Sequence, residues 1–247
     1  MSGICGFRQS REKQPKTNPP SGPKTKDMNI EDNNHNNNAG NQAGILGKFS
    51  ATTMPDTDWW QALWPDPEGV LRRIGVDFGD SVLDLCCGDG HFTVPLCNIV
   101  GRTGRVMAMD IDAHMLNLAK SRARSAGLKT DAIDWLEQDA RNIAGHIPRV
   151  PNFVLIANTF HGVENKPEFL REVYSALMPG GRFVVINWHH RPKNETTVLG
   201  QPRGPETANR MTPDQVIDLA SDAGFSFHGV VELPPYHYAA VFDKRKA

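Results

Sequence analysis

At 247 residues, with 39% hydrophobic and 22% charged side chains, the chain has the size and composition of one α/β domain with a full core. Its formal net charge of -1 argues against holding nucleic acid by bulk electrostatics. No apolar run approaches the ~20 residues that span a bilayer, and the N-terminus lacks the apolar core of a secretory signal.

Residues 1–50 read as a disordered polar tail. Pro15, Pro19, Pro20 and Pro23 stand among lysines and arginines, then an asparagine run from Asn33 to Asn38 follows, with little to bury. The basic start resembles a targeting peptide only loosely, because its prolines break any amphipathic period. Order is expected from Thr57 to the end as a single domain, 57–247. Trp59, Trp60, Leu63 and Trp64 form an aromatic cluster, and Asp66-Pro67-Glu68 opens a helix with Asp as cap and Pro in the first turn.

Strands and helices then alternate. The pattern predicts strands over Ser81–Cys86, Arg105–Asp110, Ala132–Glu137, Asn152–Ala157 and Arg182–Trp188. It predicts helices over Gly90–Val100, Asp112–Ala126 and Lys166–Leu177. That alternation implies a parallel sheet with right-handed crossovers and helices on both faces. After a helix over Pro213–Ala223, the runs Phe227–Leu233 and Tyr236–Phe242 are separated only by Pro234-Pro235. So short a connection excludes a helical crossover and predicts an antiparallel pair.

The first strand runs into Asp84-Leu85-Cys86-Cys87-Gly88-Asp89-Gly90, and the second ends at Asp110. Tight turn, helix start and acid at the next strand end suit a nucleotide-like cofactor at the carboxyl edge of a parallel sheet. With Gln138-Asp139-Ala140 after the third strand and Leu177-Met178-Pro179-Gly180-Gly181 before the fifth, the chain resembles the class I S-adenosylmethionine-dependent methyltransferases. The likeness covers about residues 66–243, the closing antiparallel pair included. It implies a seven-stranded Rossmann-like sheet, mostly parallel with an antiparallel C-terminal hairpin.

The resemblance also implies S-adenosylmethionine as cofactor. Its cationic sulfonium and ammonium call for carboxylates and no phosphate cradle. Asp84 would orient the ammonium, and the Gly88-Asp89-Gly90 turn would let the backbone approach. Asp110 would accept from both ribose hydroxyls. Ile111 would pack on the adenine, Asp139 with Ala140 would meet its exocyclic amine, and Asn158 would lie along the methionine half. Cys86 stands where the family's first glycine belongs, with Cys87 after it. A redox or nucleophilic use of this pair is set against simple packing; packing is favoured, since no neighbouring base or cation in the sequence activates a thiol. With Cys5 and Cys97 as the other cysteines, neither a disulfide framework nor a metal-ligand spacing is present, which points to a reducing, cytoplasmic compartment and no metal.

A nicotinamide enzyme is the rival reading of the glycine turn, but Thr93 would replace its third glycine and Asp84 would face a pyrophosphate. A regulatory protein that binds the cofactor without catalysis is a further alternative. On the acceptor side, His161 and His189 are candidate bases, suited to proton removal near pH 7, or else histidines that merely line the pocket. Trp60, Trp188, His190 and Arg203 are assigned to the acceptor. The long connection from His189 to Arg210 is expected to fold over it, with the tryptophans as a lid or as plain core. The run Asn158-Thr159-Phe160-His161-Gly162-Val163 resembles the branch of the family that acts on small molecules, quinone precursors among them. A small organic acceptor is therefore the expected partner, with no membrane or nucleic acid.

Overall fold

The computed structural model describes residues 57–246, so the expected tail over residues 1–50 lies outside the described residues. In chain order the elements are α1 (Thr57–Leu63), α2 (Pro67–Arg73), β1 (Ser81–Leu85), α3 (Thr93–Val100), β2 (Arg105–Asp110), α4 (Ala113–Ser125), β3 (Ile133–Glu137) and β4 (Phe153–Ala157). There follow α5 (Lys166–Ala176), β5 (Arg182–Trp188), β6 (Thr197–Val198), β7 (Gln201–Pro202), α6 (Pro213–Asp222), β8 (Ser226–Leu233) and β9 (His237–Asp243). Seven strands form one sheet in the order β3-β2-β1-β4-β5-β9-β8, and β6 and β7 make a separate ribbon. The β1, β2, β3, β4 and β5 pairings are parallel, while β9 runs antiparallel to both β5 and β8.

The chain winds outward from β1 in one direction and from β4 in the other, so the topological switch point lies between these two strands. In open sheets of this kind ligands bind beyond the carboxyl ends at that point. Strand side chains alternate between two buried faces. Leu83, Met107, Val154 and Phe183 pack under α5 and α6, against Phe169, Val173, Val216 and Ala220. Val82, Val106, Phe153 and Val184 face the other way, against Leu71, Leu96 and Ile99 of α2 and α3 and the tryptophans of α1. Burial on both faces explains why these strands read as continuous apolar runs.

Caps fix the helix starts that position the loops. The Asp66 side chain accepts from the Gly69 N–H at 2.8 Å, as the sequence predicts, and Asp112 accepts from His114 N–H at 2.8 Å. Thr212 and Gln215 form a reciprocal capping box at α6. The predicted helix from Gly90 starts three residues late, at Thr93. Gly90 sits at φ +81°, outside the helical region, and the Thr93 hydroxyl bonds Asp84 instead of capping. The sequence pattern also misses the ribbon, whose two-residue turn places Leu199 at φ 52° and Gly200 at φ 74°, as tight hairpins require.

Candidate functional site

Asp84 is the penultimate residue of β1, 2% exposed, and accepts a 2.7 Å hydrogen bond from Thr93 Oγ1. Burial pushes its carboxyl up from 3.8 to about 7; the Thr93 bond opposes this and nearby Asp110 adds to it. The chain then turns sharply, with Cys86 at φ 55°, Gly88 at φ 55° and Gly90 at φ 81°. Cys86 therefore adopts a left-handed backbone that glycine takes without strain. Gly90 cannot carry a side chain, because a Cβ there would stand 2.9 Å from Ala119 Cβ on α4.

Asp110 clamps this turn to β2. Its Oδ2 accepts from Gly88 N–H and its Oδ1 from Asp112 N–H, both at 2.9 Å, while Cys87 N–H donates to Met109 O at 3.0 Å. Each Asp110 oxygen keeps a lone pair for a further donor. Burial raises the Asp110 carboxyl as well, against the backbone bonds it accepts. Ile111 follows, half-buried. Across the switch point, Asn158 directly follows β4 at φ 58°, its N–H bonded to Ile186 O at 2.8 Å and its buried Oδ1 without a partner among the described residues. The structure thus brings Asp84, Cys86, Gly88 and Asp110 together at the carboxyl edge, with Asn158 at the end of the strand beside β1.

Two other carboxylates are already engaged. Asp89, 3% exposed, is ion-paired to Arg122 of α4, which also donates to its carbonyl. Asp139 is held by Arg141 through Nε at 3.0 Å to both oxygens and through Nη2, and it also accepts from the Arg141 N–H. Ala140 beside it is buried among the side chains under α5. The cysteines are poor nucleophiles: burial, then Asp110, raises Cys86, and burial, then Asp84, raises Cys87 well above 9.0.

The histidines are placed very differently. His161 lies on the single turn Phe160–Gly162 after β4, pushed down to about 4 by burial and by Lys166 and Arg210, so it is neutral at pH 7. His189 Nε2 lies 2.9 Å from Glu232 Oε2 on β8. His190 is exposed. Trp60 and Trp188 are buried in one cluster of rings. Trp60 stacks on Trp59 at 4.3 Å and on Trp64 at 5.4 Å, and Trp188 lies 6.0 Å from Trp59. The Arg203 guanidinium sits 5.9 Å from the Trp59 ring centre.

Three residues that sequence reasoning missed complete this edge. His237, the first residue of β9, pairs with Trp188 in register, is fully buried, and packs 4.1 Å from Trp188 and 4.6 Å from Trp64. His91 lies 5.6 Å from Trp60. Arg210, 3% exposed, donates to Pro205 O, Arg191 O, Arg203 O and Thr196 Oγ1 at 2.8–3.1 Å, which closes the 191–205 arm on itself over Trp188. The only sequence signal for His237 is its place in a predicted strand; its partner Trp188 is fixed by sheet register. Among the described residues no cluster of three His, Cys, Asp or Glu side chains is arranged to hold a metal, and no helix is long and apolar enough to cross a membrane.

A glycine turn after β1, a clamped acid after β2 and an antiparallel last pair define the fold of a class I S-adenosylmethionine-dependent methyltransferase. A S-adenosylmethionine-dependent methyltransferase from Aquifex aeolicus has this fold, with a TM-score of 0.64 and 26% identity over 76% of this chain and 93% of its own. The chain belongs to the ubiE/COQ5 methyltransferase family, whose model matches residues 60–199. It is 32% identical over 136 residues to a demethylmenaquinone methyltransferase of Lactococcus lactis, covering 54% of this chain and 49% of that protein. It is 33% identical over 126 residues to a 2-phytyl-1,4-naphtoquinone methyltransferase of Thermosynechococcus vestitus, covering 49% and 54%. The chain thus spans about half the length of the curated relatives it matches.

Proposed function

We propose that this chain moves a methyl group from S-adenosylmethionine to a small, flat, oxygen-bearing organic acceptor of the kind its relatives' names describe. One observation carries the reading: Asp84 and Asp110 stand together behind a left-handed turn, and among the described residues the charged groups acting on them are other carboxylates, which suits a cationic, phosphate-free ligand. The buried, unpartnered Asn158 Oδ1 fits the same ligand's methionine end.

When bound, the cofactor supplies a methyl carbon on positive sulfur, open to in-line displacement. The chain's own work is binding and alignment. Asp84 receives the ammonium, and its ionisation is favoured by that cation. Asp110 offers its free lone pairs to the ribose, and Ile111 offers an apolar edge to the adenine. Asp139 takes part only through lone pairs left by Arg141, and Asp89 supports the turn from behind through Arg122. His161 stands after β4 as a neutral but weak base, which suits hydrogen bonding to the acceptor better than full proton removal. His189 shares its ring with Glu232, and solvent-facing His190 has no role in this scheme.

The nicotinamide alternative would set a pyrophosphate against Asp84 and Asp110, which is electrostatically unfavourable. The near-neutral charge accords with a small-molecule acceptor rather than with nucleic acid held by bulk electrostatics. Titration calorimetry with S-adenosylmethionine, S-adenosylhomocysteine and NAD tests the cofactor, and transfer of labelled methyl into small molecules of a cell extract tests the reaction. Binding of NAD in place of S-adenosylmethionine refutes the reading. Tight cofactor binding with no labelled product from any extract would favour the silent regulatory alternative.

A further inference from the structure

Among the described residues, six buried polar atoms without a hydrogen-bond partner fall in one ring cluster. They are the indole nitrogens of Trp59 and Trp64, Nε2 of His91, Nε of Arg203, and both ring nitrogens of His237. Buried polar groups are ordinarily paired, and an unpaired one is costly, so a concentration of them marks a place built for a ligand rather than for packing. The walls are flat: Trp60 stacks between Trp59 and Trp64, with Trp188 and Tyr236 stacked 6.1 Å apart beyond His237. Such walls accept a planar ring. Indole N–H groups only donate, and a neutral imidazole offers one donor and one acceptor, so the matching ligand carries carbonyl or hydroxyl oxygens.

The cluster also lies beside the methyl donor's end of the site. Asn158 is bonded to Ile186 on β5, and Trp188, two residues further along, pairs with His237. Burial, with His189 and Arg210 nearby, keeps His237 neutral. Ring packing sets Trp60 of α1 6.3 Å from His237, so α1 closes one side of the cluster.

We propose that His237 positions the methyl acceptor, its imidazole hydrogen-bonded to an oxygen of a planar ring enclosed by Trp59, Trp60, Trp64 and Trp188. This inference rests on the methyl-transfer reading and deepens it, since His237 lies beyond the 60–199 segment that the family model matches.

Equilibrium dialysis of 2-naphthol and of naphthalene against the full chain, saturated with S-adenosylhomocysteine, tests it. The wild type is expected to hold 2-naphthol about 2- to 12-fold more tightly than naphthalene, the range of one net hydrogen bond. H237F should abolish that preference while naphthalene and S-adenosylhomocysteine bind within twofold of the wild type. H237Q, which restores a donor and an acceptor, should recover part of it. W64F keeps a ring wall without its N–H and should reduce the preference even if H237F fails to fold. A preference retained in H237F, or absent from a wild type that binds S-adenosylhomocysteine, overturns the assignment of His237. A wild type that binds no S-adenosylhomocysteine overturns the methyl-transfer reading, and this inference with it.

Discussion

The proposed contact between Asp84 and the cofactor's ammonium would link cofactor binding to pH in a way that can be measured. In the free protein its carboxyl is held near pH 7 by burial, against 3.8 in an open chain. A carboxyl raised on folding stabilises the folded state below its unfolded value, and that contribution is lost as pH rises from 3.8 to about 7. The full span corresponds to about 4 kcal/mol at pH 8, carried by a residue only 2% exposed. A cationic ligand beside Asp84 binds its ionised form and restores what burial removes. Binding therefore needs a proton to leave at low pH and none at high pH.

The expected dissociation constant for S-adenosylmethionine falls about tenfold per pH unit between pH 5 and 6.5 and levels off above 7, about 50-fold between pH 5 and 7. Titration calorimetry in two buffers of different ionisation heat reads both the affinity and the proton released. Asp84→Asn keeps an acceptor for the Thr93 hydroxyl but carries no charge. It should bind about 10- to 150-fold more weakly at pH 7.5, with a flat profile, the loss of one charge-assisted hydrogen bond. The free variant should also melt several degrees above the wild type at pH 8. A wild-type affinity constant within threefold from pH 5 to 7, with no proton released, refutes the reasoning.

Asp110→Ala removes the clamp on Gly88 and Asp112 as well as the proposed ribose contact, so S-adenosylhomocysteine affinity should drop at least tenfold by calorimetry; unchanged affinity removes its ribose role. Cys86→Gly relieves a left-handed cysteine and should change stability by no more than about 1 kcal/mol, whereas Cys86→Val, branched at φ 55°, should be clearly destabilised in urea unfolding. Equal effects of the two would show that the turn conformation does not govern this position. Arg210→Met leaves the carbonyls of Pro205 and Arg191 without their side-chain donor and Arg203 O with the Thr196 hydroxyl alone, a loss of about 2–4 kcal/mol that lowers the melting temperature by roughly 5–15 °C. S-adenosylhomocysteine affinity should stay within threefold in that variant if the arm serves only the acceptor.

The parallel strands were legible because burial on both faces writes each as a bounded apolar run; β2 and β5 fall at their predicted limits. The start of α3 and the ribbon differ from the sequence pattern for local physical reasons. Thr93 reads as mid-helix, yet its hydroxyl is spent on Asp84, nine residues back, and the helix begins there. Asp89 belongs to the expected cofactor turn and Asp139 to the expected adenine contact, and the structure pairs both carboxylates with arginines. Nothing in a motif reveals Arg122, 33 residues on and one helix away, as the partner of Asp89. The ribbon of β6 and β7 is too short to leave a period of two, and only its turn residues Leu199-Gly200 mark it.

The two halves of the site differ in how far apart in sequence their parts lie. Asp84, Gly88 and Asp110 fall within one strand–helix–strand unit, where turn chemistry and a single crossover fix their distances, so a sequence motif can specify them. The ring cluster joins Trp59 and His91 to Trp188, Arg203 and His237, from opposite ends of the described chain, and only the register of β5 on β9 sets His237 opposite Trp188. The family match ends at Leu199, inside the turn of the ribbon, so Arg203, Arg210 and His237 lie outside it while the Asp84–Asp110 unit lies within. A change in the arm or the terminal hairpin can therefore reshape the ring cluster without touching the cofactor turn. Substitutions at Arg203 or His237 are expected to change which ring is bound, and substitutions at Asp84 or Asp110 to change whether the cofactor is bound at all.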